Sequence, residues 1–315
     1  MRVLVVGGAG FIGQALISRL LQGAGVAGQG PATQVTNLDQ RSGERPGDPR
    51  LRCIEGSITD REVLEAAIAG GVDCVFHLAC IPSGAAEQDF ELGLRVNLAA
   101  TLELLEVLRR ARLAPRLVFA STIGVYGVPL PALIDENTIP LPTLSYGAQK
   151  LIGEYLVADY SRRGFIDGRS VRIPGIVARP PTTGMLSLFM SELIRELSAG
   201  RSFICPVAAE GMAWWMSRPC IVDNLLHAAG MAAATAAAQR TWLLPAQHLS
   251  IGAVVEAIAR LHGGAVLQRV RYEPNAVLQA QFANLPPLRC PRSVAAGFRH
   301  DGTVETLVQR ALESV

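Results

Sequence analysis

The sequence predicts an α/β fold with a doubly wound parallel sheet, and three observations support this prediction. Short apolar segments typical of buried strands alternate with longer segments of helical periodicity. The first strand runs directly into a glycine-rich turn, and a helix follows at once. The chain has 315 residues, of which 50% are hydrophobic, so it can bury a large core.

The predicted strands and helices alternate along the first half of the chain. The first unit consists of the strand Val3–Val6, the glycine turn Gly7–Gly13 and the helix Gln14–Leu21. Further strands are predicted at Gln34–Leu38, Leu51–Glu55, Cys74–Leu78, Leu117–Ala120 and Ser170–Ile173. Further helices are predicted at Asp60–Ala69, Arg95–Ala111 and Tyr146–Arg163. Because a helix between two strands lets them pair in parallel, this order predicts a Rossmann-type sheet.

The second half of the chain is less regular. After about Ile176 the segments become shorter, and prolines occur in pairs at Pro180-Pro181 and Pro286-Pro287. We therefore predict a sheet domain of residues 1–175, with a later contribution from about residues 215–235. Residues 176–315 are predicted to form a smaller C-terminal lid domain that mainly binds the substrate.

Charge and composition limit the classes of partner. The formal net charge is only +2 and the basic clusters are short, which argues against nucleic acid as the main ligand. The apolar stretch Ala228–Ala238 is too short to cross a membrane. The six cysteines form no CxxC pair and lie near no histidines at metal-ligand spacing. We therefore expect free thiols in a reducing cytoplasm, no metal site and a small-molecule partner.

The glycine turn Gly7–Gly13 (GGAGFIG) has the spacing of a dinucleotide-binding turn. Its glycines allow a sharp bend close to a pyrophosphate, and the following helix N-terminus favours an anion. A glycine turn alone is a weak signal, but this one lies between a strand and a helix. Asp39, at the end of the second strand, is suited to bind ribose hydroxyls, which favours NAD over NADP. Arg41 leaves NADP open because an arginine can bind the 2′-phosphate.

Tyr146 and Lys150 form a YxxxK pair. Residues four apart share one face of a helix, so the ammonium is expected beside the phenol. A free phenol has a pKa of about 10, and a neighbouring cation favours the phenolate. Such a base can remove the hydroxyl proton of an alcohol while a nicotinamide accepts hydride. The alternative is a chance pairing, but Lys150 is the single lysine among 29 basic residues, which makes chance a poor explanation.

Two further positions at strand ends have both functional and structural interpretations. Ser121 and Thr122 follow the strand Leu117–Ala120, at the edge where open α/β sheets bind ligands. A hydroxyl there is expected to hold the reacting oxygen, although serine and threonine also end strands for structural reasons. His77, by contrast, is interpreted as a packed histidine rather than as a proton shuttle.

Together, these residues resemble the extended short-chain dehydrogenase/reductase family, which includes nucleotide-sugar epimerases and dehydratases. The matching segments span most of the chain. They are GGAGFIG, Asp39, His77-Leu78-Ala79, Asn97, STIGVYG at Ser121–Gly127, SYGAQK at Ser145–Lys150, and Val222-Asp223.

The resemblance implies a set of functional residues. It makes Thr122, Tyr146 and Lys150 catalytic, and it gives Lys150 a second role in orienting the nicotinamide ribose. The residues expected to bind NAD are Gly7, Gly10, Phe11, Ile12, Gly13, Asp39, Ser57, Ile58, Leu78, Ala79, Asn97, Tyr146, Lys150, Pro174 and Ile176. Ser57 replaces an aspartate that is common in the family near the adenine. The resemblance also implies a homodimer formed by the helices around Asn97–Ala111 and Tyr146–Arg163.

The resemblance leaves two substrate classes. Nucleotide-sugar enzymes of this family use an arginine to bind the diphosphate, and Ser217 stands at its place. The stretches Tyr146–Pro180 and Trp214–Ala228 resemble sugar-acid dehydrogenases, which implies oxidation of the C2 hydroxyl of a small sugar acid. The expected substrate contacts are Ser83, Thr122, Tyr146, Arg179 and Arg218. The alternatives are a nucleotide-sugar 4-epimerase or dehydratase, and a catalytically idle NAD-binding scaffold.

Overall fold

The structure is a computed structural model of the chain. It describes residues 1–26, 30–41, 43, 47–181 and 187–313. The strands are β1 (Arg2–Val6), β2 (Gln34–Asp39), β3 (Leu51–Glu55), β4 (Cys74–His77), β5 (Arg116–Thr122), β6 (Ile134–Asp135), β7 (Asp167–Ile173), β8 (Phe203–Cys205), β9 (Met212–Trp215), β10 (Thr241–Leu243), β11 (Gln247–Ser250), β12 (Val270–Tyr272) and β13 (Leu288–Arg289). The helices are α1 (Phe11–Leu21), α2 (Arg61–Ile68), α3 (Ser83–Gln88), α4 (Phe90–Gly93), α5 (Ala100–Arg110), α6 (Ser145–Arg162), α7 (Leu188–Ser198), α8 (Arg218–Gly230), α9 (Ala233–Ala238), α10 (Ile251–His262), α11 (Ala276–Phe282), α12 (Pro291–Ala295) and α13 (Val304–Leu312).

Seven strands form one central parallel sheet, which confirms the predicted doubly wound Rossmann-type fold. Their order is β10-β7-β5-β4-β1-β2-β3. The chain leaves β1 in one direction to β2 and β3, and in the other to β4, β5 and β7. A crevice therefore opens at the carboxyl edge between β1 and β4, where such sheets bind ligands.

Alternating side chains of β1 face two apolar layers. Val3 and Val5 pack in a core with α1 and α8, whereas Leu4 and Val6 pack in a core with α2, α5 and α6. The strand is therefore buried on both sides, as its continuous apolar sequence requires. No helix among the described residues is both long enough and apolar enough to cross a membrane.

The C-terminal part builds a second core. Helices α7, α10 and α13 surround the fully buried Trp215, whose indole nitrogen donates to the carbonyl of Leu249 at 3.1 Å. Helices α8 and α9 and the edge strand β10 pack with the central sheet, although they follow the first elements of the C-terminal part. The later contribution expected at about residues 215–235 therefore extends to Leu243 in the described structure.

Two arginines hold the carboxyl end of α8 against the sheet. Arg116 donates to the carbonyl of Ala229 at 2.9 Å, and Arg169 donates to that of Met231 at 3.0 Å. These bonds satisfy carbonyls that a helix end leaves open. The Arg169 side chain is fully buried and forms an ion pair with Asp167 at 2.9 Å.

The predicted helix Arg95–Ala111 differs from the structure in its first turns. Residues Leu94–Ala99 form a π-helical segment, and α5 begins only at Ala100. The wider turn carries Asn97, whose side chain bonds to both backbone groups of Ile81. Sequence periodicity did not predict this feature because the segment keeps its apolar face.

The glycine turn provides a test of the fold. A Cβ at Gly13 would lie 2.6 Å from the Cα of Gly8, with backbone on both sides. Gly13→Ala is expected to lower the free energy of unfolding by about 1–3 kcal/mol because the backbone must move. Urea denaturation measures this change. At the control position Gly264, an added Cβ meets no atom within 4 Å, and Gly264→Ala should change stability by less than about 0.5 kcal/mol. Equal effects would contradict the prediction.

Candidate active site

The predicted site residues meet at the carboxyl edge of the sheet. Gly7 follows β1, Leu78 follows β4, Thr122 ends β5 and Pro174 follows β7. Because these strands are neighbours and parallel, their ends open into the same crevice. The structure therefore brings together residues that are far apart in the sequence.

The glycine turn forms a tight cradle above this edge. Gly7 has a φ of +89°, and a Cβ there would lie 2.6 Å from the backbone nitrogen of Ala79. The amides of Leu78 and Ala79 both donate to the carbonyl of Val6, at 2.8 and 2.9 Å. Gly10 caps α1, whose first turn contains no acidic residue. The cradle is open to an anion at a helix N-terminus and therefore fits a pyrophosphate.

Asp39 lies at the end of β2, beside the glycine turn. Its Oδ2 accepts from the amide of Ala9 at 3.0 Å, and its Oδ1 from that of Arg41 at 3.4 Å. A carboxylate held in this way suits ribose hydroxyls. Ser57 follows β3 and shares a hydrogen bond with the Thr59 hydroxyl at 2.8 Å, beside the buried Ile58.

Asn97 positions the loop after β4. Its Oδ1 accepts from the amide of Ile81 at 2.7 Å, and its Nδ2 donates to Gln149 at 2.8 Å. Gln149 precedes Lys150 in α6, so this buried amide joins the loop to the helix. Both Oδ1 and Nδ2 of Asn97 take part in these described hydrogen bonds. A contact between Asn97 and NAD stays a prediction.

Helix α6 packs very closely on β5. A Cβ at Gly153 would lie 2.6 Å from the Phe119 ring, and one at Gly147 would contact the carbonyl of Gly124. This packing buries Lys150, whose Nζ lies 4.8 Å from the centroid of the Phe119 ring. Burial lowers the pKa of the Lys150 ammonium. Arginine would not fit this role because it does not release its proton.

Tyr146 lies between Thr122, Lys150 and two residues that the sequence did not assign to it. The Thr122 side chain lies near its hydroxyl, and Lys150 Nζ lies 5.9 Å from its ring centroid. Burial of the hydroxyl raises the pKa of Tyr146 well above 10, and the Cys80 thiol adds to this increase. The charge of Arg179 and the nearby Thr122 hydroxyl lower this pKa in turn.

The sequence analysis predicted a site role for only one of these two neighbours, Arg179 and Cys80. Arg179 was expected to bind substrate, but its action on the phenol was missed. Cys80 was missed entirely as a site residue. Its position directly after His77-Leu78-Ala79, at the end of β4, is the signal that would have found it.

Arg179 and Arg218 lie over the same aromatic ring. Their guanidinium carbons are 5.1 and 4.8 Å from the ring centroid of Phe11, the first residue of α1. Burial lowers the pKa of both side chains. In the part of the chain that the structure describes, neither arginine forms an ion pair with a carboxylate. Both are therefore suited to bind an anion that enters the crevice.

Ser217 has a structural role at the start of α8. It is fully buried, its Oγ donates to Asp301 at 2.5 Å, and its amide donates to the same carboxylate at 2.9 Å. Its Oγ also caps α8 by accepting from Cys220 at 3.2 Å. This position therefore presents no cation to a diphosphate.

The remaining predicted substrate contacts are less defined. Ser83 begins α3, after the loop that Asn97 holds.

His77 is a core residue below Lys150. Its Nε2 shares a hydrogen bond with the Thr101 hydroxyl at 2.8 Å, and the side chain is 1% exposed. Burial and the charge of Lys150 lower the pKa of His77 to about 3, so the ring is neutral near pH 7. This placement agrees with the interpretation as a packed histidine.

Comparison with known proteins identifies the family. The NAD dependent epimerase/dehydratase family matches residues 3–216. The chain is similar to D-erythronate dehydrogenase of Cupriavidus necator, with 38% identity over 99% of this chain and 98% of that protein. It is also similar to D-erythronate dehydrogenase of Haemophilus influenzae, with 32% identity over 99% of both chains.

A solved structure supports the same relationship. The structure of the nucleoside-diphosphate-sugar epimerase from Agrobacterium tumefaciens has a TM-score of 0.91 and 32% sequence identity. The match covers 98% of this chain and 92% of that one. The chain therefore belongs to the NAD dependent epimerase/dehydratase family, the extended short-chain dehydrogenases/reductases, and it is an oxidoreductase.

Neutral His77 makes stability depend on pH. Its pKa is about 3 in the folded chain and 6.5 in the unfolded chain, so the unfolded chain binds more protons between these values. The free energy of unfolding should fall by about 1.4 kcal/mol per pH unit as the pH drops below 6.5. The His77→Gln variant cannot bind this proton when it unfolds, so its free energy of unfolding should change less steeply with pH. Urea denaturation at pH 5.0 to 6.5 compares the two proteins, and identical slopes would contradict the assignment.

Proposed function

We propose that the chain is an NAD-dependent dehydrogenase that oxidises the C2 hydroxyl of a small sugar acid, D-erythronate or a close analogue. The observation that carries this proposal is Arg179, a half-buried cation 5.1 Å from the Phe11 ring centroid, whose charge lowers the pKa of Tyr146. A 2-hydroxy acid bears its hydroxyl on the carbon next to its carboxylate. When Arg179 binds the carboxylate, the C2 hydroxyl lies within reach of Tyr146.

The glycine cradle and Asp39 fit NAD. A Cβ at Gly7 would meet the backbone of Ala79, and one at Gly13 would meet that of Gly8, so glycine keeps this turn tight, as a pyrophosphate-binding turn requires. Asp39 is proposed to bind the ribose hydroxyls, and its charge opposes a 2′-phosphate. Bound NAD supplies the hydride acceptor for the oxidation.

Tyr146 is proposed to act as the base that removes the C2 hydroxyl proton. Thr122, whose hydroxyl lies near that of Tyr146, is proposed to orient the substrate oxygen. Lys150 and Arg179 provide positive charge that favours the phenolate. Arg218 and Ser83 are proposed to bind the carboxylate and a remaining hydroxyl.

A nucleotide-sugar 4-epimerase or dehydratase is the second candidate. The similar solved structure, with a TM-score of 0.91, is that of a nucleoside-diphosphate-sugar epimerase, which favours this candidate. The buried Ser217, which caps α8 where the diphosphate-binding arginine would stand, favours the sugar acid. An idle NAD-binding scaffold is disfavoured by the assembly of Thr122, Tyr146 and Lys150 in one site.

A homodimer in the cytoplasm completes the proposal. Large apolar side chains are exposed on the two helices that the family resemblance assigns to the interface. They are Leu102 on α5, and Ile152 and Tyr155 on α6. A second copy of the chain would cover them. The six cysteines are free thiols, as expected in a reducing compartment.

A panel of acids tests the proposed reaction. The protein is incubated with NAD and four- to six-carbon aldonates, and NADH is followed by its absorbance. A four-carbon 2-hydroxy acid should give sustained NADH formation. If no acid yields NADH while a nucleotide sugar is converted, the epimerase reading is correct and the proposal fails.

Two variants separate the roles of the base and the carboxylate partner. Tyr146→Phe should lower kcat by about 10²–10⁴-fold, because it removes the base, and leave NAD binding nearly unchanged. Arg179→Gln should raise KM for the acid by about 10- to 100-fold, because a charged hydrogen bond is lost. Steady-state kinetics and NAD titration measure both effects. Equal activity of Tyr146→Phe and wild type would remove the proposed mechanism.

The dimer is tested by a charge in the exposed face of α6. Ile152 is 43% exposed, and Ile152→Asp should convert the dimer to a monomer in sedimentation velocity experiments. Ile204 on β8 is 53% exposed and lies outside this face, so Ile204→Asp serves as the matched control and should stay dimeric. A monomeric wild type, or a dimeric Ile152→Asp variant, would contradict the interface.

A further inference from the structure

A buried carboxylate joins three parts of the active site. Glu154 follows Lys150 by one turn of α6 and is 4% exposed. Its Oε1 accepts from the Ser121 hydroxyl at 2.5 Å and from Arg172 Nε at 3.0 Å. Its Oε2 accepts from Arg172 Nη2 at 2.7 Å. The carboxylate therefore links the helix of Tyr146 to the ends of β5 and β7.

Arg172 extends this link to the turn that follows Thr122. Its Nη1 donates to the Tyr126 hydroxyl at 3.0 Å, and its guanidinium carbon lies 5.2 Å from the centroid of the Tyr126 ring. Tyr126 is the last residue of the short turn Ile123–Tyr126. Thr122 is thus bracketed by two residues, Ser121 and Tyr126, that bond to the same ion pair.

The ion pair keeps its charges despite its burial. Burial acts against the charged guanidinium, but the hydrogen bonds to Glu154 and Tyr126 outweigh it and raise the pKa of Arg172. Apolar side chains of similar volume often stabilise a core as well as or better than a buried ion pair. The pair also fixes the orientation of α6 relative to β7, because a planar guanidinium and a carboxylate pair in one relative geometry.

We propose that Glu154 and Arg172 are positioning residues that set the separation of the Thr122 and Tyr146 hydroxyls. Neither residue is assigned a contact with the substrate or NAD. They act through Ser121 and Tyr126, which hold the segment of Thr122 at a fixed place against α6. The proposal rests on the roles proposed above for Thr122 and Tyr146.

The test uses two variants of the pair and one matched control. Glu154→Gln keeps the shape of the side chain but removes the charge that receives Arg172. Ser121→Ala removes only the bond from β5 to Glu154 and leaves the ion pair intact. The control is Asp167→Asn, which weakens the Asp167–Arg169 pair at the other end of β7, where the Arg169 side chain is also buried.

Steady-state kinetics of sugar-acid oxidation supply the first readout. Glu154→Gln should lower kcat by about 10- to 100-fold, with NAD affinity unchanged, because the reacting groups are displaced. The midpoint of kcat/KM against pH should move to higher pH, since the Thr122 hydroxyl, which lowers the pKa of Tyr146, moves away from the phenol. Ser121→Ala should shift the midpoint in the same direction by less. Asp167→Asn should lower only the melting temperature.

Crystal structures of the variants supply a second readout that needs no substrate. The Thr122 and Tyr146 hydroxyl oxygens should lie further apart in Glu154→Gln than in the wild-type protein, and their separation should be unchanged in Asp167→Asn. An unchanged separation with an unchanged pH midpoint overturns the positioning role. Activity losses that follow melting temperature equally in all three variants also overturn it. If no sugar acid is oxidised, the proposed function fails, while this distance still tests the ion pair.

Discussion

The close approach of α6 to β5 is the constraint on which the site depends. Gly147 and Gly153 leave room for the carbonyl of Gly124 and the ring of Phe119, and a larger residue at either position would push the helix away from the strand. Only at this distance does Lys150 become buried against Phe119 while Tyr146 lies near Thr122. The chemistry of the site is thus a consequence of how two elements pack.

This packing also creates an imbalance of charge. Lys150 Nζ lies 5.9 Å from the Tyr146 ring centroid and the charge of Arg179 acts on its hydroxyl, whereas burial keeps His77 neutral. The described residues place the carboxylate of Glu154 elsewhere, against Arg172. The pocket is therefore positive where the reacting oxygen would lie. A phenolate or a bound carboxylate would compensate that charge, which supports the proposal of an acidic substrate.

The sequence predicted the parts of the site that short motifs encode. The parallel sheet, the glycine turn and the spacing of Tyr146 and Lys150 follow from local sequence patterns. The structure places the glycine turn and this pair at one edge of the sheet. Contacts between distant segments were not predictable. No periodicity joins Glu154 to Arg172 or Ser217 to Asp301, and Cys80 acts on Tyr146 only because the loop after β4 and the start of α6 meet in the same site. The π-helical turn at Asn97 was missed because it leaves the hydrophobic pattern intact.

The burial of Lys150 has a practical consequence for labelling chemistry. It is the single lysine of the chain, and only 1% of it is exposed. Reagents that acylate primary amines therefore find no accessible side chain on the folded molecule and are left with the α-amino group. A fluorophore or surface linker attached in this way would occupy one defined position in every molecule. Lysine-rich enzymes instead give mixtures of products labelled at different positions.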